Sequence, residues 1–68
     1  MKNYDRSHGS PYDRGDADSY YHRPPEPHYW PEGTGNGVKV TDLTAEEVEA
    51  YLAGYEDNEK YGEKKNWG

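Results

Sequence analysis

Aliphatic side chains larger than alanine are confined to one short stretch of this chain. Apart from the initiator methionine, they all lie between positions 38 and 52, as Val38, Val40, Leu43, Val48 and Leu52. The last part of this stretch repeats apolar residues at the i, i+3, i+4, i+7 spacing of a helix with one buried face. The members of that face are Val48, Tyr51, Leu52 and Tyr55. The pattern therefore predicts one amphipathic helix in the C-terminal part of the chain.

The start of this helix has two independent local signals. Thr44 as N-cap and Glu47 three residues later form the capping-box pattern. Leu43 and Val48 have the spacing of a hydrophobic staple around the same start. We expect the helix to run from about 45 to 61. Gly54 within it either lets another segment approach closely or weakens the helix by about 0.8–1 kcal/mol relative to alanine.

The preceding segments lack a helical pattern. Residues 20–37 contain four prolines followed by three glycines, which predicts an extended arm near polyproline II and then a loop. Residues 37–41 alternate in polarity, so they form either a short β-strand or a merely extended segment. Residues 1–19 are rich in Ser, Gly and Asp, and we expect them to be irregular and flexible.

Together these elements predict a small irregular fold with little regular structure. Its one C-terminal α-helix is covered by an extended, Tyr- and Pro-rich N-terminal arm. We expect a single small domain over residues 1–68, divided into a flexible 1–19, an aromatic arm and loop at 20–37, and a short strand and helix at 38–68.

The composition of the chain limits the kind of core that it can form. Only 29% of the residues are hydrophobic and 32% are charged, so a conventional aliphatic core is not expected. Eight Tyr and two Trp must supply most of the apolar packing. The absence of cysteine fits a reducing compartment, and no apolar run reaches the length of a membrane span or the apolar core of a signal peptide.

The charge balance indicates the class of partner. The formal net charge is −6, which argues against direct binding of nucleic acid, because that binding depends on Lys and Arg neutralising phosphates. An acidic chain instead favours a basic protein surface.

No constellation of residues predicts catalysis, a metal or a cofactor. His8, His22 and His28 lack the tight spacing and the cysteines of a structural zinc site. We also expect the chain to be too small for the cavity of about 300 Å³ or more that ligand sites require. The sequence therefore predicts a protein without enzymatic activity, bound metal or cofactor.

The candidate binding residues fall into two groups. Tyr, Trp and Arg dominate protein interfaces, and proline stiffening lowers the entropy lost on binding. The arm residues of this kind are Tyr20, Tyr21, Arg23, His28, Tyr29 and Trp30. About half of them are expected to cover the helix and the others to contact a partner. The second group is the helix carboxylates Glu46, Glu49, Glu56 and Asp57.

A set of short motifs resembles a family of small tailed-bacteriophage proteins, over most of the chain from residue 12 onward. These motifs are Tyr12-Asp13-Arg14-Gly15, Ala17-Asp18-Ser19-Tyr20-Tyr21, Arg23-Pro24, Pro27-His28-Tyr29, Leu43-Thr44 with Glu47, Ala50-Tyr51, Ala53-Gly54-Tyr55, Asn58-Glu59 and Lys65-Asn66-Trp67-Gly68. The resemblance implies a phage origin and the bacterial host cytoplasm as location. The segment 50–55 also resembles the helix of ribosome modulation factor, although this chain lacks that factor's basic charge and its cysteine-proline-tyrosine segment.

These observations lead to one functional hypothesis and two alternatives. The chain is expected to be a small acidic phage accessory protein that binds and modulates, or inhibits, a bacterial host protein. A defence or nucleic-acid-handling complex is one such target, with the helix carboxylates imitating phosphates. The first alternative is a self-assembling structural or virion-associated protein that pairs through Tyr51, Leu52 and Tyr55 as a homo-oligomer. The second is a ribosome-associated factor.

Overall fold

Two α-helices make up the regular structure of the described residues. The computed structural model describes residues 4–33 and 37–62. Helix α1 spans Pro11–Tyr20 and helix α2 spans Ala45–Tyr61. No β-strand forms in either described range. The predicted strand at 37–41 is reduced to a single antiparallel bridge between Tyr29 and Val40.

Helix α2 confirms the helix that the sequence predicts, including its start. The Thr44 side chain accepts a hydrogen bond from the Glu47 backbone N–H at 3.2 Å, and the Glu47 carboxylate accepts one from the Thr44 N–H at 2.8 Å. Each group satisfies an amide that the helix itself leaves without a partner. Glu46 and Glu47 in the first turn and Lys60 in the last complement the helix dipole.

Residues 1–19 were predicted to be irregular, and this prediction was wrong for residues 11–19, which lie in helix α1. Ser10 is the N-cap, and its hydroxyl accepts a hydrogen bond from the Asp13 N–H at 3.3 Å. Pro11 occupies the first turn, where its missing N–H costs no hydrogen bond. The Asp13 carboxylate reaches back to accept the Gly9 N–H at 2.9 Å. These local contacts fix the start of α1 without any aliphatic side chain.

The two helices approach each other through glycines. A Cβ added to Gly54 would lie 3.0 Å from the Tyr12 carbonyl carbon, and a Cβ added to Gly15 would lie 2.9 Å from the Tyr51 carbonyl carbon. In both cases the carbonyl oxygen would lie closer still, nearer than real Cβ atoms come to another atom. Of the two roles predicted for Gly54, the structure therefore shows the close approach of another segment.

The core is small, aromatic and polar. Among the described residues its buried hydrophobic side chains are Tyr12 and Tyr51, and Tyr51 is 0% exposed. The buried polar residues around them are Ser10, Asp18, Ser19, His28 and Asn58. Leu52, predicted on the buried face, is 44% exposed, so that assignment was wrong. The reason is that α1 packs against the side of α2 that carries Gly54, which turns Leu52 outward.

The segment between the helices has no regular structure. It is hydrogen-bonded to the residues before α1 and to α2. The Trp30 N–H donates to the Gly9 carbonyl at 2.7 Å, and Tyr29 and Val40 exchange two backbone hydrogen bonds of 3.0 and 2.9 Å. The Tyr55 hydroxyl donates to the Arg23 carbonyl. The arm therefore packs on α2, as predicted, although its first residue, Tyr20, is the last residue of helix α1. The part of the predicted C-terminal segment beyond residue 62 lies outside the described residues.

Candidate functional site

A buried carboxylate organises the interior between the arm and the helices. Asp18, on α1, is 4% exposed, and its Oδ2 accepts a hydrogen bond from the Tyr51 hydroxyl of α2. The same hydroxyl accepts the Glu26 N–H of the arm at 2.9 Å. One phenol oxygen thus joins three segments, and both of its hydrogen-bonding roles are used.

Two guanidinium groups flank this carboxylate. Arg14 Nη2 lies 3.7 Å and Arg23 Nη1 lies 3.6 Å from Asp18 Oδ1. Arg14 is largely buried, whereas the Arg23 side chain is 59% exposed. Burying a carboxylate is costly unless it is paired and hydrogen-bonded, and here it is both.

His28 makes a contact through each of its two ring nitrogens. Its Nδ1 lies 2.7 Å from the Glu26 carbonyl oxygen, which can only accept, so Nδ1 carries the proton. Its Nε2 accepts a hydrogen bond from Arg14 Nε at 3.2 Å, which requires a lone pair on that nitrogen. The ring thus links the arm to α1: it contacts the Arg14 side chain through Nε2, and its Nδ1 also lies 3.8 Å from Asp18 Oδ2.

Two tyrosines in this interior resist ionisation. Burial, followed by the hydrogen bond to Asp18, raises the pKa of Tyr51 far above its usual value. The hydrogen bond to Asp57, at 2.5 Å, together with burial raises the pKa of Tyr12. In both cases an anionic neighbour and lost hydration disfavour the phenolate.

A cleft opens above this network, and we call it the cationic cleft. It has a volume of about 330 Å³ and is lined by Arg14, Asp18, Arg23, Pro24, Glu26, His28, Trp30 and Lys39. The expectation that no cavity of about 300 Å³ forms in a chain of this size was therefore wrong. The reason is that the arm spans the helices without filling the space over Asp18. The lack of enzymatic activity remains a prediction.

A second surface, which we call the acidic groove, lies on the outer face of α2. Its volume is about 490 Å³ and its lining residues are Tyr4, Ala45, Val48, Glu49, Leu52, Ala53 and Glu56. The Tyr4 hydroxyl donates to Glu49 Oε1 at 3.3 Å across the groove. Glu56 forms an exposed ion pair of 2.7 Å with Lys60. The groove combines an apolar floor with carboxylates.

The predicted arm residues divide between these surroundings. Arg23, His28 and Trp30 come together in the cationic cleft. Beside the cleft, the Arg23 guanidinium lies 5.1 Å from the Tyr21 ring centroid, and Tyr21 contacts Tyr20 edge-on at 4.9 Å. Tyr29 lies apart from the cleft lining and pairs through its backbone with Val40.

The predicted helix carboxylates do not form one row. Glu49 and Glu56 line the acidic groove, whereas Asp57 accepts the Tyr12 hydroxyl and faces α1. Glu46 lines a separate groove of about 380 Å³ with Asp5, Pro11, Thr44, Glu47 and Ala50. Of the residues expected at a twofold interface, Tyr51 is fully buried within this fold, whereas Leu52 is 44% exposed. Self-assembly stays a prediction.

Several residues of these surfaces are not among the candidates predicted from the sequence. Arg14, Asp18 and Lys39 line the cationic cleft, and Tyr4 lines the acidic groove. Arg14 and Asp18 have the i, i+4 spacing of a helical ion pair, so recognising α1 would have placed them together. Lys39 and Tyr4 carry no such local signal, because tertiary folding alone brings them to their surfaces.

Within 4–33 and 37–62, no helix has the length and hydropathy needed to cross a bilayer. The same residues contain no group of three or more His, Cys, Asp or Glu side chains arranged to hold a metal ion.

Comparison of the chain with protein-family models, with curated proteins and with solved structures found no match.

Proposed function

We propose that this chain is a non-catalytic bacteriophage accessory protein that binds and modulates a bacterial host protein. The partner contributes a basic amphipathic segment, and the acidic groove receives it. The observation that carries this proposal is the exposure of Leu52, which is 44% exposed in a groove that also contains Glu49 and Glu56. An apolar side chain displayed between carboxylates is complementary to a segment with both apolar and cationic side chains.

The charge of α2 supports a basic partner. Residues 45–61 hold six acidic side chains and one lysine, and the whole chain carries −6. A field of one sign steers an oppositely charged partner and raises its association rate. The Glu56–Lys60 ion pair is exposed on both sides, so replacing Lys60 by a partner cation costs little.

The floor of the groove supplies the apolar part of the contact. Ala45, Val48, Leu52 and Ala53 share one side of α2 and line the groove together. Such a surface suits an apolar anchor from the partner, which would contribute most of the binding energy while the carboxylates set orientation.

The test uses a photo-crosslinking amino acid placed at two exposed apolar positions. One variant carries it at Leu52 in the groove, and the matched control carries it at Val38, which is 79% exposed and does not line the groove. Tagged protein is crosslinked in bacterial lysate, and the attached peptide is sequenced. We expect position 52 to capture a segment with clustered Lys or Arg and apolar residues, and position 38 not to capture it.

Specificity is then tested with substitutions. Leu52→Asn and the double variant Glu49→Gln/Glu56→Gln should each weaken capture of that partner, whereas Val38→Asn should leave it unchanged. Capture of an acidic segment, equal labelling from both positions, or equal capture by all variants would contradict the proposal. If the captured protein handles nucleic acid, competition by DNA for the same site would favour the phosphate-mimicking form of the hypothesis.

A further inference from the structure

Cations are concentrated in one place on this acidic protein. The described residues include five Arg or Lys side chains, and three of them, Arg14, Arg23 and Lys39, line the cationic cleft. The carboxylates in the same lining are those of Asp18 and Glu26. Counted over Arg, Lys, Asp and Glu alone, the lining carries a net charge of +1, whereas the whole chain carries −6. The cleft therefore has the opposite sign to the rest of the molecule.

The buried carboxylate lies close to two of these cations, Arg14 and Arg23. Asp18 Oδ2 already accepts the Tyr51 hydroxyl, and the guanidiniums stand 3.6 and 3.7 Å from Oδ1, beyond hydrogen-bond distance. Arg23 also lies over the Tyr21 ring, which restricts its orientation, yet its side chain is 59% exposed. Arg23 is thus a positioned guanidinium that solvent can reach.

The lining of the cleft also includes two apolar side chains. Trp30 and Pro24 line it beside the cations. Aromatic side chains of this kind form stacking surfaces for planar ligands. The volume of about 330 Å³ is at the lower end of the range for small-molecule sites.

We infer that the cationic cleft binds a small organic anion in which a flat ring is joined to an oxyanion group. The ring lies against Trp30, and the oxyanion contacts Arg23 and Lys39. Arg14, held by His28, contributes positive charge at the floor of the cleft. This site is separate from the acidic groove and does not depend on the proposed function, because the two share no lining residue.

The experiment is a titration of isotopically labelled protein, followed by amide chemical shifts. Adenosine monophosphate and benzoate are the two test ligands, since one carries a phosphate and the other a carboxylate. Two control ligands each lack one of the two groups: adenosine has the flat ring without an oxyanion, and inorganic phosphate is an oxyanion without a ring. We expect saturable shifts around the cleft with at least one test ligand, and at least about tenfold weaker binding of adenosine and of phosphate.

Two double variants, each of which removes two positive charges, test whether the ligand binds in the cleft. Arg23→Gln/Lys39→Gln removes the two contacting cations, and Arg6→Gln/Lys60→Gln removes two cations that do not line the cleft. The first should weaken binding by at least about tenfold, and the second should leave it within about twofold. The single variant Lys39→Gln repeats the test at an exposed position. It leaves the ion pair between Arg23 and Asp18 unchanged.

Three results would overturn the inference. The first is the absence of saturable shifts with both test ligands. The second is binding of adenosine or of phosphate alone as tightly as the test ligands. The third is an equal loss of binding in the two charge-matched variants, which would mean that only the overall charge of the protein matters.

Discussion

Gly15 of α1 and Gly54 of α2 lie against each other's helix backbones. A Cβ on Gly15 would meet the Tyr51 carbonyl group, and a Cβ on Gly54 would meet the Tyr12 carbonyl group. The contact is thus reciprocal, and each glycine lies against the carbonyl of the residue three positions before the other. The crossing brings Tyr51 close enough to α1 for its hydroxyl to reach Asp18. Helix packing and the central hydrogen-bond network therefore depend on the same two glycines.

Replacing Gly54 with alanine should destabilise the fold, although alanine favours an isolated helix. The added Cβ would force the helices apart, and overpacking of this kind costs about 1–3 kcal/mol, more than the gain of about 0.8–1 kcal/mol in helix propensity. Urea unfolding followed by circular dichroism measures the change. Leu52→Ala, on the exposed side of the same helix, is the matched control and should change the free energy of unfolding much less. A Gly54→Ala variant as stable as the parent would contradict the reciprocal contact.

Removing the Tyr51 hydroxyl should cost stability even though the ring stays in place. Tyr51→Phe leaves the Asp18 carboxylate without its hydroxyl donor and the Glu26 N–H without its acceptor. Unsatisfied buried groups cost about 1–3 kcal/mol each, so the free energy of unfolding should fall by at least about 1 kcal/mol. Tyr61→Phe, at a residue that is 85% exposed, should leave it unchanged. Equal effects of the two substitutions would show that the network does not stabilise the fold.

Stability should decrease at alkaline pH. The pKa values of Tyr51 and Tyr12 are raised in the folded protein, so above about pH 10 the unfolded chain loses these protons while the folded chain keeps them. The stabilising contribution is therefore complete below about pH 10 and is lost as the pH rises toward the folded-state pKa. Each such tyrosine lowers the free energy of unfolding by about 1.4 kcal/mol per pH unit in that range.

Urea midpoints between pH 8 and 11 would measure this dependence. Tyr51→Phe should reduce its slope, because the proton of the Tyr51 hydroxyl no longer contributes to it. A slope identical in the parent and in Tyr51→Phe would show that Tyr51 is not a source of the alkaline instability.

The N-terminal cap of α2 should contribute measurably to stability. Thr44→Ala removes the hydroxyl that accepts the Glu47 N–H, a change that costs about 0.5–2 kcal/mol at other N-caps. Thr41→Ala, three residues earlier and outside the helix, is the control and should have little effect. Thermal unfolding followed by circular dichroism would compare the two variants, and equal melting temperatures would argue against the cap.

Residue types alone predict some of the residues that line the cationic cleft and the acidic groove. Arg23, His28 and Trp30 were selected as arm residues suited to binding, and they do share one cleft. The hydrogen bond that Asp18 accepts from Tyr51 could not be predicted, because it joins positions 33 residues apart in the chain. Glu49 and Glu56 were selected for their charge, whereas the exposed Leu52 beside them was assigned to the core.

The sequence by itself determined helix α2, because its capping box and helical spacing are contacts within a few residues of each other. It also determined that the core is aromatic and that the surface is acidic. The tertiary structure decided that α1 forms a partner for α2. The buried positions of α1 are Tyr12, Gly15, Asp18 and Ser19, of which only one is a large apolar residue. Hydrophobic periodicity cannot detect such a face, since it is stabilised by backbone contact at glycine and by hydrogen bonds to residues far away in the chain.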